Sequence, residues 1–117
     1  MLLGKIFGKV TTTNFKFLVE AETKKFDYIQ VYHEVYDYTL CQVLELEKQE
    51  HTTIAHAQVI GYKDKKDGKI KRLRIPFEPG TEVFAAENHF ITEVIRLAES
   101  EDGAYLGKLE GRDISIH

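Results

Sequence analysis

Apolar residues recur at every second position through much of this chain, and that spacing constrains the fold more than any other feature. Phe15, Phe17 and Val19 alternate with Lys16 and Glu20. A period of two sends successive side chains to opposite faces of an extended strand, so one face is buried and the other meets solvent. The stretch 27–35 continues in the same way and is rich in aromatic and β-branched residues, which favour strands. Residues 36–46 and 54–62 read as two more strands, with polar breaks at 47–52 and 64–69. Lys66-Asp67-Gly68-Lys69 is the clearest turn, because Asp-Gly tolerates the positive φ of a tight hairpin; it predicts pairing of Val59–Lys63 with Ile70–Ile75. Gly4 and Gly8 interrupt an otherwise strand-like run over 1–10, as glycines do at the bulges and bends of small closed barrels.

One segment has helical spacing. Asn88 is a fitting N-cap, and Phe90, Ile91, Val94, Leu97 and Ala98 form one apolar stripe, so a short helix is expected over 86–99, laid across an open end of the barrel. Just before it, Pro76-Phe77-Glu78-Pro79-Gly80 excludes regular structure, and Pro-Gly favours a type II turn. The stretches 104–109 and 113–116 are expected as final strands that close the sheet. Strands at this spacing with turn signals between them predict a mainly all-β fold: a small closed antiparallel barrel of about six strands with one short α-helix near the C-terminus.

At 117 residues the chain holds one core, and a single domain over 1–117 is expected. A chain of this size buries roughly two-thirds of its unfolded surface, so neither a disulfide nor a structural metal is needed. The single cysteine, Cys41, cannot form an internal bridge. Gly4-Lys5 interrupts Met1-Leu2-Leu3 before a signal-peptide core can form, and no apolar run approaches the length of a membrane span. A soluble, cytoplasmic protein without a membrane partner is expected.

Catalytic patterns are weak. Gly103-Ala-Tyr-Leu-Gly107-Lys108-Leu109 and Gly4-Lys-Ile-Phe-Gly8-Lys9-Val10 each have three residues between their glycines where a phosphate-binding loop needs four, and neither supplies the hydroxyl that holds magnesium. The five histidines, His33, His51, His56, His89 and His117, make no cluster with metal-ligand spacing. Cys41 between Leu40 and Gln42 reads as a small buried packing residue rather than a nucleophile. The carboxylates sit singly, which gives no reason to pair two as acid and base. No catalytic residue, metal or cofactor is expected in this chain. The aromatics Phe15, Phe17, Tyr28, Tyr32, Tyr36 and Tyr38 suit either core packing or a base-stacking platform.

Charge is uneven along the chain. Lys63, Lys65, Lys66, Lys69, Lys71, Arg72 and Arg74 stand against only Asp64 and Asp67, a local charge of +5 that leaves −8 for the rest of a chain of net −3. These seven residues are the candidate interaction site. The tract fits a contact with an acidic protein surface or a nucleic acid, or simply a solvated hairpin tip.

Several of these segments together resemble a known family. The run Gly4–Phe17, with its glycine-punctuated strand, Thr11-Thr12-Thr13 turn and alternating aromatics, is similar to the opening of HerA-like DNA-translocating ring ATPases. Asp27–Val31, Ala57–Tyr62, the Pro76–Val83 connection and Tyr105–Leu109 resemble later pieces of the same N-terminal domain, in the same order. Cys41 is a departure, standing where the family pattern Leu-Gly-x-Val has glycine. The resemblance implies a HerA–ATP synthase barrel on one face of a hexameric ring that translocates double-stranded DNA. It also implies docking of a NurA-like nuclease in DNA end resection, with ATP and magnesium bound by an ATPase domain expected beyond Ile116. The alternative is a stand-alone nucleic-acid-binding, OB-like barrel that uses the Lys63–Arg74 hairpin; a small enzyme is the least supported class.

Overall fold

In the computed structural model, residues 1–101 are described. They form seven strands and one helix: β1 (Leu2–Phe7), β2 (Asn14–Val19), β3 (Tyr28–His33), β4 (Asp37–Lys48), β5 (Thr53–Lys63), β6 (Ile70–Lys71), β7 (Glu82–Ala85) and α1 (Asn88–Glu101). The strands run in the order β2-β1-β7-β3-β4-β5-β6, and β2 also pairs with β5. That last pairing, from Asn14 against Gln58 to Leu18 against Ile54, closes β1, β2, β5, β4, β3 and β7 into a six-stranded barrel. Every pairing is antiparallel. The short β6 lies outside the ring as an added strand on β5.

The period-two pattern sets the inside. Ile6, Phe15, Phe17, Ile29, Val31, Cys41, Val43, Ala55, Ala57 and Val83 form one buried cluster. Burying a side chain as large as Phe17 contributes about 1.5–3 kcal/mol, so these alternating positions stabilise closure as well as fill it. Gly4 has a different duty. A Cβ there would overlap the Leu18 carbonyl oxygen of the neighbouring strand, so only glycine lets β1 and β2 approach this closely. The register of β1 against β7 shifts between Leu2 and Gly4, which is the bulge expected of a glycine at this place. Two further shifts, at Leu40/Cys41 and Val43/Glu45, bend the long β4–β5 pair around the barrel.

One barrel end is stoppered by the chain between β6 and β7. The expected strand Ile70–Ile75 stops at Lys71, because Leu73 and Phe77 leave the sheet and insert into the core. Phe77 packs edge-on against Phe15, with ring centroids 5.5 Å apart. His33 fastens this stopper: its Nδ1 accepts the Val35 N–H (3.0 Å), which leaves the proton on Nε2 to donate to the Ile75 carbonyl (3.0 Å). Tyr36 stacks on Tyr62 over the same end, with centroids 4.5 Å apart. The segment then turns at Pro79-Gly80, where Gly80 has φ 93° and the Thr81 N–H donates to the Glu78 carbonyl; this is the type II turn that Pro-Gly favours.

Two placements differ from the sequence expectation. The sixth stave is β7, only four residues long, inserted between β1 and β3; the expected closing strands at 104–109 and 113–116 lie outside the described residues. The helix runs from Asn88 to Glu101, with Glu87, whose carbonyl accepts the Ile91 N–H, in the N-cap place expected for Asn88, and it covers a wall rather than an open end. Ile91, Val94 and Ile95 pack on Tyr28, Leu40 and Ile60, which point outward because their neighbours Ile29 and Cys41 point in. Ile60 faces outward by alternation with Ala55, Ala57 and Val59, and the β4–β5 register shift beside it turns Tyr62 back toward the core. Among the described residues no helix is long and apolar enough to cross a membrane.

The two kinds of glycine give a ranked stability prediction. Gly4→Ala forces backbone apart and is expected to cost about 3 kcal/mol, at the upper end for overpacking. Gly80→Ala meets open space and carries only the positive-φ penalty, about 1–2 kcal/mol. Urea denaturation of both variants checks the order; equal midpoints would mean that the close approach at Leu18 is not required.

Candidate contact surface

The basic tract does hang on a hairpin, but not the tight one expected. The Asp64 N–H donates to the Lys69 carbonyl and the Gly68 N–H to the Asp64 carbonyl, giving a wider loop closed by Gly68 at φ 70°. Its two aspartates build it locally. The Asp64 carboxylate accepts the Lys66 N–H (2.9 Å), and the Asp67 carboxylate accepts the Lys69 N–H (3.0 Å).

The seven candidate cations do not act as a block. Lys71 lies between Asp64 (2.8 Å) and Asp67 (3.1 Å). Lys65 pairs with Asp37 at the start of β4 (2.8 Å), and Lys63 with Glu93 on α1 (3.0 Å). These contacts tie the hairpin to the barrel wall and the helix. Lys66, Lys69 and Arg74 are exposed and, among the described residues, have no carboxylate within ion-pair distance. Arg72 is exposed beside them. Much of the +5 is therefore answered within the molecule.

Titration follows the pairing. The Lys71 ammonium, then the Lys66 amide, hold the Asp64 carboxyl below its ordinary range; the Lys69 amide, then Lys71, do the same for Asp67. Lys65 and the Tyr38 amide lower Asp37, and the two aspartates raise Lys71. A depressed carboxylate stabilises the fold above its unfolded pKa, and that stabilisation is lost as pH falls through the folded value.

An apolar rim lies beside this hairpin. Tyr32 and Tyr38 face one another across β3 and β4 with centroids 5.4 Å apart and are 48% and 40% exposed. Val35 in the β3–β4 turn and Ile75 in the stopper are 63% and 45% exposed, and His33 binds the backbone of both. A groove of about 570 Å³ runs from Tyr38 and the Lys65–Asp37 pair to His89 and Phe90 at the start of α1. The charge count of the sequence does not reveal this rim. The signal present in the sequence was a pair of apolar residues, Val35 and Tyr36, in the connection between two strands.

The remaining candidates fall into structural roles. Phe15 and Phe17 fill the interior, Tyr28 lies under α1 and Tyr36 stacks on Tyr62, which leaves only Tyr32 and Tyr38 of the six aromatics exposed. Cys41 is fully buried, and burial pushes its thiol far up. His56 bonds Glu47 (3.0 Å), His89 lies 3.4 Å from Glu87, and His117 lies outside the described residues. Among the described residues no three His, Cys, Asp or Glu side chains gather as a metal set. Of the Gly4–Val10 run, Gly4–Phe7 lies in β1 and pairs with β2 and β7, and Gly8 follows at φ 72°; the Gly103–Leu109 run lies outside the described residues.

Replacing Lys71 with Met is expected to return the Asp64 and Asp67 titrations toward the ordinary carboxylate range and to loosen the hairpin amides. Carboxyl-detected NMR titration reads both; unchanged aspartates would mean that Lys71 does not hold the loop. No family model matches this chain, and no curated protein matches it at a significant level.

Proposed function

We propose that this chain is a non-catalytic barrel that serves ring assembly and partner docking in a HerA-like DNA translocase, with ATP and magnesium handled by a separate ATPase domain. The observation that carries the reading is the closed, filled barrel. Its interior is packed by large apolar side chains, its one thiol is sealed inside, and closure removes the sheet edges, so the chemistry it offers is that of its surface. The exposed rim of Tyr32, Val35, Tyr38 and Ile75 beside Lys66, Lys69 and Arg74 suits a protein partner: apolar centre, basic margin. The occupant is a neighbouring barrel of the hexamer or a NurA-like nuclease on the ring face, in a cytoplasmic complex acting on double-stranded DNA. The order of segments from Gly4 to Val83 is what links the barrel to this family.

The alternative, a stand-alone nucleic-acid-binding barrel that uses the Lys63–Arg74 hairpin, has less support. Lys63, Lys65 and Lys71 are committed to Glu93, Asp37 and the two loop aspartates.

The test belongs in the full-length protein with its nuclease. Charge reversal is confined to Lys66, Lys69 and Arg74, because reversing Lys65 or Lys71 would break internal pairs; a second variant carries Val35→Asp and Ile75→Asp. Both are expected to keep the circular dichroism of the parent while shifting sedimentation away from the hexamer or abolishing nuclease co-elution. A full-length product with no ring-forming ATPase, or variants that assemble and bind nuclease like the parent, would sink the proposal.

A further inference from the structure

The barrel has a second basic surface, whose lysines form no ion pair among the described residues. β1 and β2 pair with Phe7 opposite Lys16 and Lys5 opposite Leu18. Their neighbours Ile6 and Phe17 are buried in the core, so Lys5, Phe7, Lys16 and Leu18 share the outer wall. On the next strand His56 stands opposite Lys16 and Ile54 opposite Leu18. Lys9 continues the line just beyond the end of β1, and Lys5 and Lys9 are exposed. Unlike the wall under α1, this one has no helix packed on it among the described residues.

Two details mark it as a binding face rather than a solvated one. Among the described residues no carboxylate lies within ion-pair distance of Lys5, Lys9 or Lys16, although Glu82 stands in register with Lys5 and Glu47, bonded to His56, also feels the Lys16 charge. The Lys16 ammonium lies over the half-buried Phe7 ring, 5.0 Å from its centroid, so this cation covers the ring face and exposes it when the lysine swings away to meet an anion. A recess of about 550 Å³, part polar and part apolar, opens at the top of the wall between the Thr11–Asn14 turn, Lys16 and His56.

We propose that this β1–β2 wall binds single-stranded nucleic acid, with a base taking the place of the Lys16 ammonium over Phe7 and backbone phosphates on Lys5, Lys9 and the displaced Lys16. Stacking needs only an aromatic face and is indifferent to sequence, while lysines spaced along antiparallel strands track a phosphate chain. An acidic peptide would satisfy the lysines but has no use for the ring. The inference is independent of the ring-docking rim, which lies around the β3–β4 turn and not on β1 or β2.

Fluorescence anisotropy of the 117-residue chain with a labelled oligothymidine at low salt tests it. Neutralising three phosphates on a single strand implies a slope of log affinity on log salt of about −2. Lys5→Glu combined with Lys16→Glu should weaken binding more than tenfold, and Glu82→Gln, which removes the carboxylate in register with Lys5, should strengthen it. Phe7→Leu keeps apolar volume but loses the ring face and should cost about five- to tenfold, whereas Phe7→Tyr should be near the parent. Lys66→Glu with Lys69→Glu on the hairpin should change affinity less than twofold. The proposal is overturned by no binding at low salt, by binding lost only in the hairpin variant, or by a polyglutamate competitor that displaces the strand while Phe7→Leu has no effect. The last outcome would mark an acidic protein partner instead.

Discussion

The pairing of β2 with β5 is the constraint on which the rest of this structure depends. Without it the strands would form an open sheet with a bare edge at β2; with it, six strands become a ring with an inside. A ring of this size leaves room only for side chains, and that requirement reaches back to individual residues. Gly4 must be glycine because the strands coil tightly enough for the Leu18 carbonyl to occupy its Cβ position. The bulges in β4 and β5 must occur because two strands of twelve and eleven residues cannot stay paired around such a curve in uniform register. The open end must be stoppered, and Leu73 and Phe77 are drawn out of what would otherwise be a longer hairpin strand.

Closure also sorts the outer surface into three parts. The wall of β3, β4 and β5 is apolar and takes the helix; Tyr28, Leu40 and Ile60 would be stranded in water without it. The wall of β1 and β2 is mixed and basic. The rim around the β3–β4 turn carries apolar side chains that the stopper and turn leave outward because their backbones are spent on His33. Helix and stopper are thus consequences of the same geometry, one covering the outer apolar wall and the other the inner apolar core.

What could be read from residues alone follows from how local each determinant is. β2 was legible because Phe15, Phe17 and Val19 keep a strict alternation, and the helix because Phe90, Ile91, Val94, Leu97 and Ala98 make an apolar stripe. The Pro79-Gly80 turn was legible because its geometry is dictated within four residues. β7 was not: four residues after a turn are too few to display a period, and only its neighbours β1 and β3 make it a strand. The position of the helix was hidden because Thr39-Leu40-Cys41-Gln42-Val43 is buried on both faces, so the strand loses the alternation that would have shown an outer apolar wall. The composition of the candidate site was legible but its state was not, since whether a lysine is available depends on acids such as Asp37 and Glu93 that lie on other elements.

That distinction bears on how a chain of net −3 can hold an anion. Net charge governs behaviour at distances where the molecule looks like a point, whereas a bound ligand senses charges within a Debye length, about 10 Å at ordinary ionic strength. β5 alone spans eleven residues, about 30 Å of strand. It separates Glu50 and the acids around the β4–β5 turn from the cations of the hairpin by several screening lengths. The acidic end therefore does little to oppose anion binding at the hairpin, but it adjoins β2, whose Leu18 is opposite Ile54 beside Glu47. What opposes it is local: a carboxylate already bonded to the lysine in question. By that measure Lys63, Lys65 and Lys71 of the conspicuous tract are already bonded to acids, whereas Lys5, Lys9 and Lys16 form no ion pair among the described residues, and Glu82 and Glu47 are the acids placed to oppose an anion there.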